Sequence, residues 1–357
     1  MATNTWDLTE DDFGALSPFI KDDEITDIDY NGTTLWINDI YNNRRQVTSI
    51  TVTPEDMKNF AIRVSNRANK KFDPITNILE AQTNNLRISV LHDAITTTGI
   101  SVCIRKSPPA IRLTPELAIK TNFCTEEIYS LIVNCVLTRM NFVFCGEPQV
   151  GKTEGIKLFS QYIPANQRVI TIEDTPELHY HEINPTKDCV EMIIGNNLTY
   201  TDAIKACLRQ NPKWIMLSEA RSTEVKYLIE QWSTGVFGMT TLHTDDTRKI
   251  PDRIVNMSGS ELKERIENDV YSYVNIGVVI KKRKDKNGND YRYIDQVCFF
   301  TRTNGENKST LIVKDGDRTS NKIPFEIMHK FKMAGIEDPF KSDIFVLRDK
   351  ENTENNI

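Results

Sequence analysis

The chain has no run of about eighteen consecutive apolar residues, the length a helix needs to cross a bilayer. Its first residues, Met1 to Asp12, are acidic and contain no apolar stretch of the kind a secretory leader uses. These two absences predict a cytoplasmic protein, any peripheral membrane association of which would have to be made through partners. Cysteine is sparse: the seven at positions 103, 124, 135, 145, 189, 207 and 298 form no C-x-x-C pair, and most lie inside apolar runs. That is the usage of small buried hydrophobes in a reducing compartment and excludes a disulfide framework. An excess of positive charge is missing too. With 44 Lys and Arg against 50 Asp and Glu, the net charge is -6, so the field of the whole molecule repels nucleic acid and no direct nucleic-acid contact is predicted. There is no internal repeat.

At 357 residues, 39% hydrophobic and 26% charged, the chain has the balance of a globular protein and the length for two domains, each with a core. Its most informative stretch is Gly146-Glu147-Pro148-Gln149-Val150-Gly151-Lys152-Thr153, which fits the phosphate-loop pattern G-x-x-x-x-G-K-[ST] and follows the apolar run Asn141 to Cys145. Gly146 and Gly151 lack a Cβ, so the backbone can curl around a phosphate with its N–H groups inward. Lys152 supplies a cation to the β/γ oxygens, and the Thr153 hydroxyl is placed to ligate Mg²⁺. The helix opened by Lys152, Thr153 and Glu154 aims the positive end of its dipole at the same phosphates. A plain strand-to-helix turn is the alternative; the complete motif after a strand favours a triphosphate site, with ATP and Mg²⁺ as the expected ligands.

Before this loop, Leu8 to Ile20 forms a short leading segment, and Ile25 to Tyr30 and Thr34 to Ile37 read as strands joined by a two-residue hairpin at Asn31-Gly32. Met57, Phe60, Ala61, Val64 and Ala68 share one face of a helix that starts at Pro54. Leu86 to Leu91 and Ile100 to Arg105 read as two more strands. This small α+β domain, residues 1–107, ends at Ser107-Pro108-Pro109, because consecutive prolines continue neither a helix nor an interior strand.

From 108 to 345 strands and helices alternate. A helix capped by Thr125 feeds the strand before the phosphate loop. Arg168 to Glu173 (strand), Asp202 to Gln210 (helix), Trp214 to Leu217 (strand), a helix capped by Ser222 and reaching Trp232, and the strand Met239 to Leu242 follow. The alternation predicts a parallel sheet with helices on both faces. Ser260 to Tyr271 reads as a helix. Asn275 to Lys281 and Tyr291 to Thr301 flank a second hairpin signal at Asn287-Gly288, with Lys281-Lys282-Arg283-Lys284 as a solvated hairpin tip. Residues 346–357 are polar and read as a disordered tail.

In such sheets chemistry gathers at the carboxyl ends of the strands, where Glu173, Asp174, Glu219 and His243 all fall. Glu219 stands in the place of a Walker B acid, to orient a water or hold Mg²⁺; Ser218 occupies the position where an Asp commonly precedes it, so both roles fall on Glu219. Its plain alternative is a strand-end carboxylate paired with Arg221. Glu173 and Asp174 would complete the water and metal network, or Asp174 merely caps the turn at Thr175-Pro176. His243 would sense the γ-phosphate, or is simply a satisfied polar residue.

These residues carry a family likeness. Ile172-Glu173-Asp174-Thr175-Pro176-Glu177-Leu178, then Leu208-Arg209-Gln210-Asn211-Pro212 leading into Leu217-Ser218-Glu219-Ala220-Arg221, then Thr234-Gly235 and Thr240-Thr241-Leu242-His243 resemble the Asp box, Walker B segment and His box of type II/IV secretion ATPases. Glu24-Ile25-Thr26-Asp27-Ile28 with Asn31-Gly32, and Ile104-Arg105-Lys106, resemble that family's N-terminal domain. The likeness implies an α/β architecture: a RecA-like P-loop NTPase domain with the smaller α+β N-terminal domain, in a homohexameric ring that hydrolyses ATP beside the inner-membrane subunits of a secretion or pilus machine. It also implies Arg87 and Arg105 as N-terminal cations for the nucleotide phosphates, and matches Arg248 and Arg253 to further arginines, for which surface ion pairing is the plain alternative.

The chain departs from the family at Ser218, commonly Gly, and between Gly235 and His243, a segment one residue short that lacks a His after Thr234-Gly235. It also lacks the tetracysteine zinc module of type II members, which favours the conjugative type IV or Tad-like pilus branches. A non-hydrolysing, nucleotide-gated scaffold and a RecA-like nucleic-acid remodeller are the competing readings.

Overall fold

The computed structural model describes residues 6–40, 43–195, 197–259, 261–286, 288 and 290–344. The expected tail 346–357, Ser260 and Asn287 lie outside the described residues. By their contacts the residues fall into two units, one of Met1–Pro109 with the short pieces Thr175–Glu177 and Gly288–Asp290, the other of Ala110–Asp174, Leu178–Asn287 and Tyr291–Ile357.

In the first unit, β1 (Ile25–Tyr30), β2 (Leu35–Asp39), β3 (Arg44–Gln46), β4 (Ile78–Gln82), β5 (Leu86–Leu91) and β6 (Ser101–Lys106) form one sheet in the order β3-β2-β1-β6-β5-β4. Alternation puts Ile28, Tyr30, Ile37, Ile88, Val90, Val102 and Ile104 into the core and leaves Asp27, Arg87 and Arg105 on the opposite face. The helix Pro54–Arg67 packs Met57, Phe60, Ala61 and Val64 into the same core. Its start is fixed reciprocally: the Thr53 hydroxyl accepts from the Asp56 amide, and the Asp56 carboxylate accepts from the Thr53 amide.

The first hairpin differs from its expected form. Beyond the Tyr30–Leu35 pair the Asn31 amide donates to the Thr34 carbonyl at 3.2 Å, so the turn is centred on Gly32-Thr33, one place later than expected, and the Asn31 side-chain oxygen accepts the Thr33 and Thr34 amides at 3.1 and 2.8 Å. An Asx-type closure by Asn31 replaces the tight mirror-image turn that Asn-Gly usually makes. Gly32, at φ 98°, is still required, because a Cβ there would lie 2.1 Å from the Thr98 carbonyl oxygen.

In the second unit, β7 (Phe142–Cys145), β8 (Val169–Glu173), β9 (Cys189–Ile193), β10 (Trp214–Leu217), β11 (Phe237–Leu242), β12 (Ile276–Lys284), β13 (Asp290–Thr303), β14 (Glu306–Lys314) and β15 (Asp317–Arg318) form, among the described residues, a nine-stranded sheet in the order β15-β14-β13-β12-β7-β11-β10-β8-β9. From β12 to β9 every neighbouring pair is parallel. The central strands β7, β8 and β10 are buried throughout, and successive residues split between two cores. Phe142, Phe144, Trp214 and Met216 join the helices Glu126–Leu137 and Lys152–Ser160. Val143, Cys145, Ile215 and Leu217 join Tyr200–Cys207, Glu224–Ser233, Ile250–Met257 and Lys263–Tyr273. This is the expected parallel sheet covered by helices on both sides. The register aligns the carboxyl ends: Cys145 lies beside Leu242 and Val279, and Leu217 beside Thr240 and Ile172.

Two local expectations need correcting. Lys281 to Lys284 lie within β12, and the Lys281 ammonium is 2.7 Å from Asp295, which is only 1% exposed, so the tract starts as a strand anchored to a buried acid instead of forming a solvated tip. Ser222 does not cap the helix that ends near Trp232. That helix starts at Glu224, and the Glu224 carboxylate accepts the Arg221 and Ser222 amides at 2.6 and 2.8 Å. Five cysteines are buried as expected and Cys189 is half-buried, whereas Cys103 is exposed.

Candidate active site

The phosphate loop begins where β7 ends. Gly146, at φ 146°, runs so close to β12 that a Cβ would sit 2.3 Å from the Ile280 carbonyl oxygen and 2.7 Å from Val150 Cγ2. Gln149 and Gly151 turn through the left-handed region at φ 63° and 92°. This curl leads into the helix Lys152–Ser160, whose Gly155 lets it close onto β7 and β12; a Cβ there would meet Ile280 Cδ1 at 3.1 Å and Phe144 Cδ1 at 3.4 Å. Glu147, Pro148 and Gln149 are exposed, Val150 is buried, and Thr153 and Glu154 are half-buried on the first helical turn. The Glu154 carboxylate accepts the Lys157 ammonium at 3.3 Å. A cavity of about 80 Å³ lies against the loop, lined by Gly146, Glu147, Val150, Asp245, Lys281 and Lys282.

Lys152 is 7% exposed. Its ammonium donates to the Gly146 and Glu147 carbonyls at 3.1 and 2.9 Å and lies 3.3 Å from His243 Nδ1. The other ring nitrogen, Nε2, lies 2.9 Å from Glu219 Oε1. A neutral imidazole protonated at Nε2 satisfies both contacts, accepting from the ammonium and donating to the carboxylate. Glu219 Oε2 pairs with Arg221 at 2.9 Å, and the same guanidinium reaches Asp174 Oδ2 at 2.6 Å. The hydrogen bond to Glu219 and the nearby Asp174 charge raise the Arg221 pKa further, so the guanidinium stays charged. Beside them, burial pushes the Tyr200 hydroxyl up to about 12, with the Asp174 charge adding to it.

Backbone bonds hold these side chains in place. The Thr241 hydroxyl donates to the Ser218 carbonyl at 2.8 Å, and the Ala220 amide donates to the Thr241 carbonyl at 3.0 Å, stitching the end of β10 to β11. Glu219 and His243 are thereby presented side by side. Ser218 enters this stitching through its carbonyl.

Direct contacts therefore join Gly146, Glu147, Lys152, His243, Glu219 and, through Arg221, Asp174. Glu173, at the end of β8, is 2% exposed, and its carboxylate accepts the Leu178 amide at 3.1 Å. Arg87 and Arg105 belong to the first unit, where they are direct cross-strand partners; Arg105 pairs with Asp27 at 3.1 Å, and Arg87 is exposed with no ion pair among the described residues. Arg248 pairs with Asp246, while Arg253 is exposed without an ion pair among the described residues. The bridging role of Arg221 and the anchoring role of Glu224 were not anticipated. The acid-base-acid spacing of Glu219, Arg221 and Glu224 was the available signal.

A loop that tolerates only hydrogen at Gly146, with a buried ammonium inside its curl, suits a triphosphate. For Mg²⁺ the fit is of a particular kind: among the described residues no three His, Cys, Asp or Glu side chains gather as a metal cage. The ion would lean on the Thr153 hydroxyl, the nearby carboxylates and the phosphates themselves, as Mg²⁺ sites in nucleotide enzymes do.

Strand, phosphate loop and helix inside a parallel sheet, with an acid just past the tip of β10, two strands away, define a RecA-like P-loop fold. Residues 73–281 match the family model described as "Type II/IV secretion system protein", and the chain belongs to that family. An uncharacterized protein of Bacillus anthracis is 35% identical over 279 residues, covering 75% of this chain and 62% of that protein. The type IV secretion system protein VirB11 of Brucella suis is 28% identical over 190 residues, 50% of this chain and 51% of that protein. Matches thus span less than two thirds of these relatives' lengths. The solved structure of the pilus retraction motor PilT with bound ADP shares the fold, with a TM-score of 0.58 at 16% identity over 95% of this chain and 89% of that one. Among the described residues no helix is long and apolar enough to cross a membrane.

Proposed function

We propose that this chain is the Mg²⁺-dependent ATP-hydrolysing motor of a type IV secretion machine of the conjugative kind, or of a related pilus machine. It would work as a homo-oligomer, a hexamer, held at the cytoplasmic face of the membrane by inner-membrane subunits. The observation that carries this reading is the contact chain from the phosphate-loop Lys152 through His243 to Glu219, which ties the phosphate grip to an acid poised to act on water. Family membership supports it.

Water bonds to the terminal phosphorus of a bound ATP as the phosphoanhydride bond to that phosphorus breaks, with ADP as the leaving group and inorganic phosphate as the other product. Lys152 offsets negative charge at the phosphates, Thr153 would hold the metal, and Glu219, with Glu173 and Asp174 completing the network, orients the attacking water. His243 reports the state of the terminal phosphate to Glu219 because it touches both Lys152 and the carboxylate. Arg87 and Arg105 are cross-strand partners on β5 and β6, with Arg105 also held by Asp27 at 3.1 Å, and in this reading they are the N-terminal phosphate cations.

A second reading, a nucleotide-gated scaffold that does not hydrolyse, draws on one observation: each oxygen of Glu219 already has a partner, His243 on Oε1 and Arg221 on Oε2. Phosphate release by the purified full chain with MgATP separates the two. The motor reading predicts turnover that Lys152→Ala and Glu219→Gln both abolish, with Glu219→Gln still binding ATP. Wild-type release no higher than that of Lys152→Ala would establish the scaffold instead.

A further inference from the structure

Arg221 has no role in the reading above, yet it joins two acids on separate strand tips. One terminal nitrogen lies 2.9 Å from Glu219 Oε2, at the end of β10, and the other 2.6 Å from Asp174 Oδ2, just past β8. Its own main chain is fixed, because the Glu224 carboxylate, on a residue 6% exposed at the start of a helix, collects the Arg221 and Ser222 amides. The base of the side chain is therefore rigid and both ends of its fork are engaged.

We infer that Arg221 is a positioning residue for hydrolysis, holding the Glu219 and Asp174 carboxylates at a fixed spacing and orientation. The inference rests on the ATPase reading. Without the guanidinium, the two like charges repel and Glu219 keeps only its His243 contact, so its carboxylate swings about that single anchor. A planar fork can serve two carboxylates at once, whereas the single ammonium of lysine is a point charge that favours one. The plain alternative is a solvent-exposed ion pair: Arg221 has 49% of its side chain exposed, and such pairs contribute little to stability. That same exposure means that replacing Arg221 leaves the fold intact. Lys152 and the phosphate loop make no contact with Arg221 in the network above, so nucleotide binding is retained while turnover falls.

The test is steady-state phosphate release by the full chain with MgATP, alongside binding of a non-hydrolysable ATP analogue and thermal melting. Arg221→Gln is expected to lower kcat by about 10- to 100-fold, the penalty for a misplaced reacting group. KM and the analogue Kd should stay within about twofold of wild type, the pattern of an interaction used only in the transition state. Arg221→Lys should recover part of the lost kcat. Unchanged kcat in Arg221→Gln, a loss carried by KM or analogue binding, or equal losses in both variants with a lowered melting temperature would each overturn the inference. Wild-type release no higher than that of Lys152→Ala would overturn the ATPase reading and the role of Arg221 together, whereas turnover that survives Arg221→Gln overturns the role of Arg221 alone.

Discussion

At Gly146 a single hydrogen decides whether the phosphate loop can form. A methyl group there would meet the Ile280 main-chain oxygen at 2.3 Å, an atom of β12 that cannot move without breaking the sheet. Gly151 is different: a Cβ there finds Arg292 Cδ at 3.5 Å, an ordinary contact, so only its φ of 92° resists substitution. Gly146→Ala is therefore predicted to abolish ATP binding and to cost about 2–4 kcal/mol, and Gly151→Ala to cost about 1–2 kcal/mol. Urea denaturation measures the two costs, and equal values would remove the steric argument. At this scale the backbone curl between Gly146 and Lys152 was legible, because the residues that make it are consecutive. The contact between Lys152 and His243 was not, because it spans 91 positions and exists only once β7 and β11 lie side by side. The same holds for Arg221, whose position next to Glu219 in the chain suggested one ion pair and concealed the second, to Asp174.

Elements that read clearly are those whose burial follows one period. The helix from Pro54 and the helix after Thr125 present unbroken apolar faces behind a capping threonine, and both form as expected. Strands at the sheet margins were harder: β3 is exposed throughout and β9 has no buried residue, so neither leaves an alternating signal. The Asn-Gly hairpin was legible as a turn but not in register, because the Asn31 side chain closes it and the central pair becomes Gly32-Thr33. One element junction matters for the site. Asn141, 4% exposed at the foot of β7, accepts the Gly238 amide at 2.9 Å and donates to the Tyr273 carbonyl at 2.7 Å, joining β7 to its neighbours. Asn141→Ala leaves the buried Gly238 amide without its acceptor and the half-buried Tyr273 carbonyl without this donor, and chemical denaturation should show a loss of about 1–3 kcal/mol. A change below about 0.5 kcal/mol would mean that water replaces the side chain.

For the molecule as a whole, alternating strands and helices foretold the parallel sheet, and the tips of its central strands carry the acids and the histidine. The extension of that sheet by β14 and β15 was not foreseen, since β14 is mostly half-buried or exposed and β15 exposed; the helix Phe325–Met333 was missed although Ile327 and Phe331, buried and four residues apart, carry a short helical period. The account stands on one spatial claim, that a nucleotide held by the phosphate loop has its terminal phosphate facing Glu219 and His243. A crystal structure of the full chain with Mg²⁺ and a non-hydrolysable ATP analogue tests it most directly. The account predicts phosphates enclosed by Gly146 to Thr153, with the Glu219 carboxylate and the His243 ring directed at the terminal one; a nucleotide bound elsewhere, or those two side chains turned away from it, would contradict it.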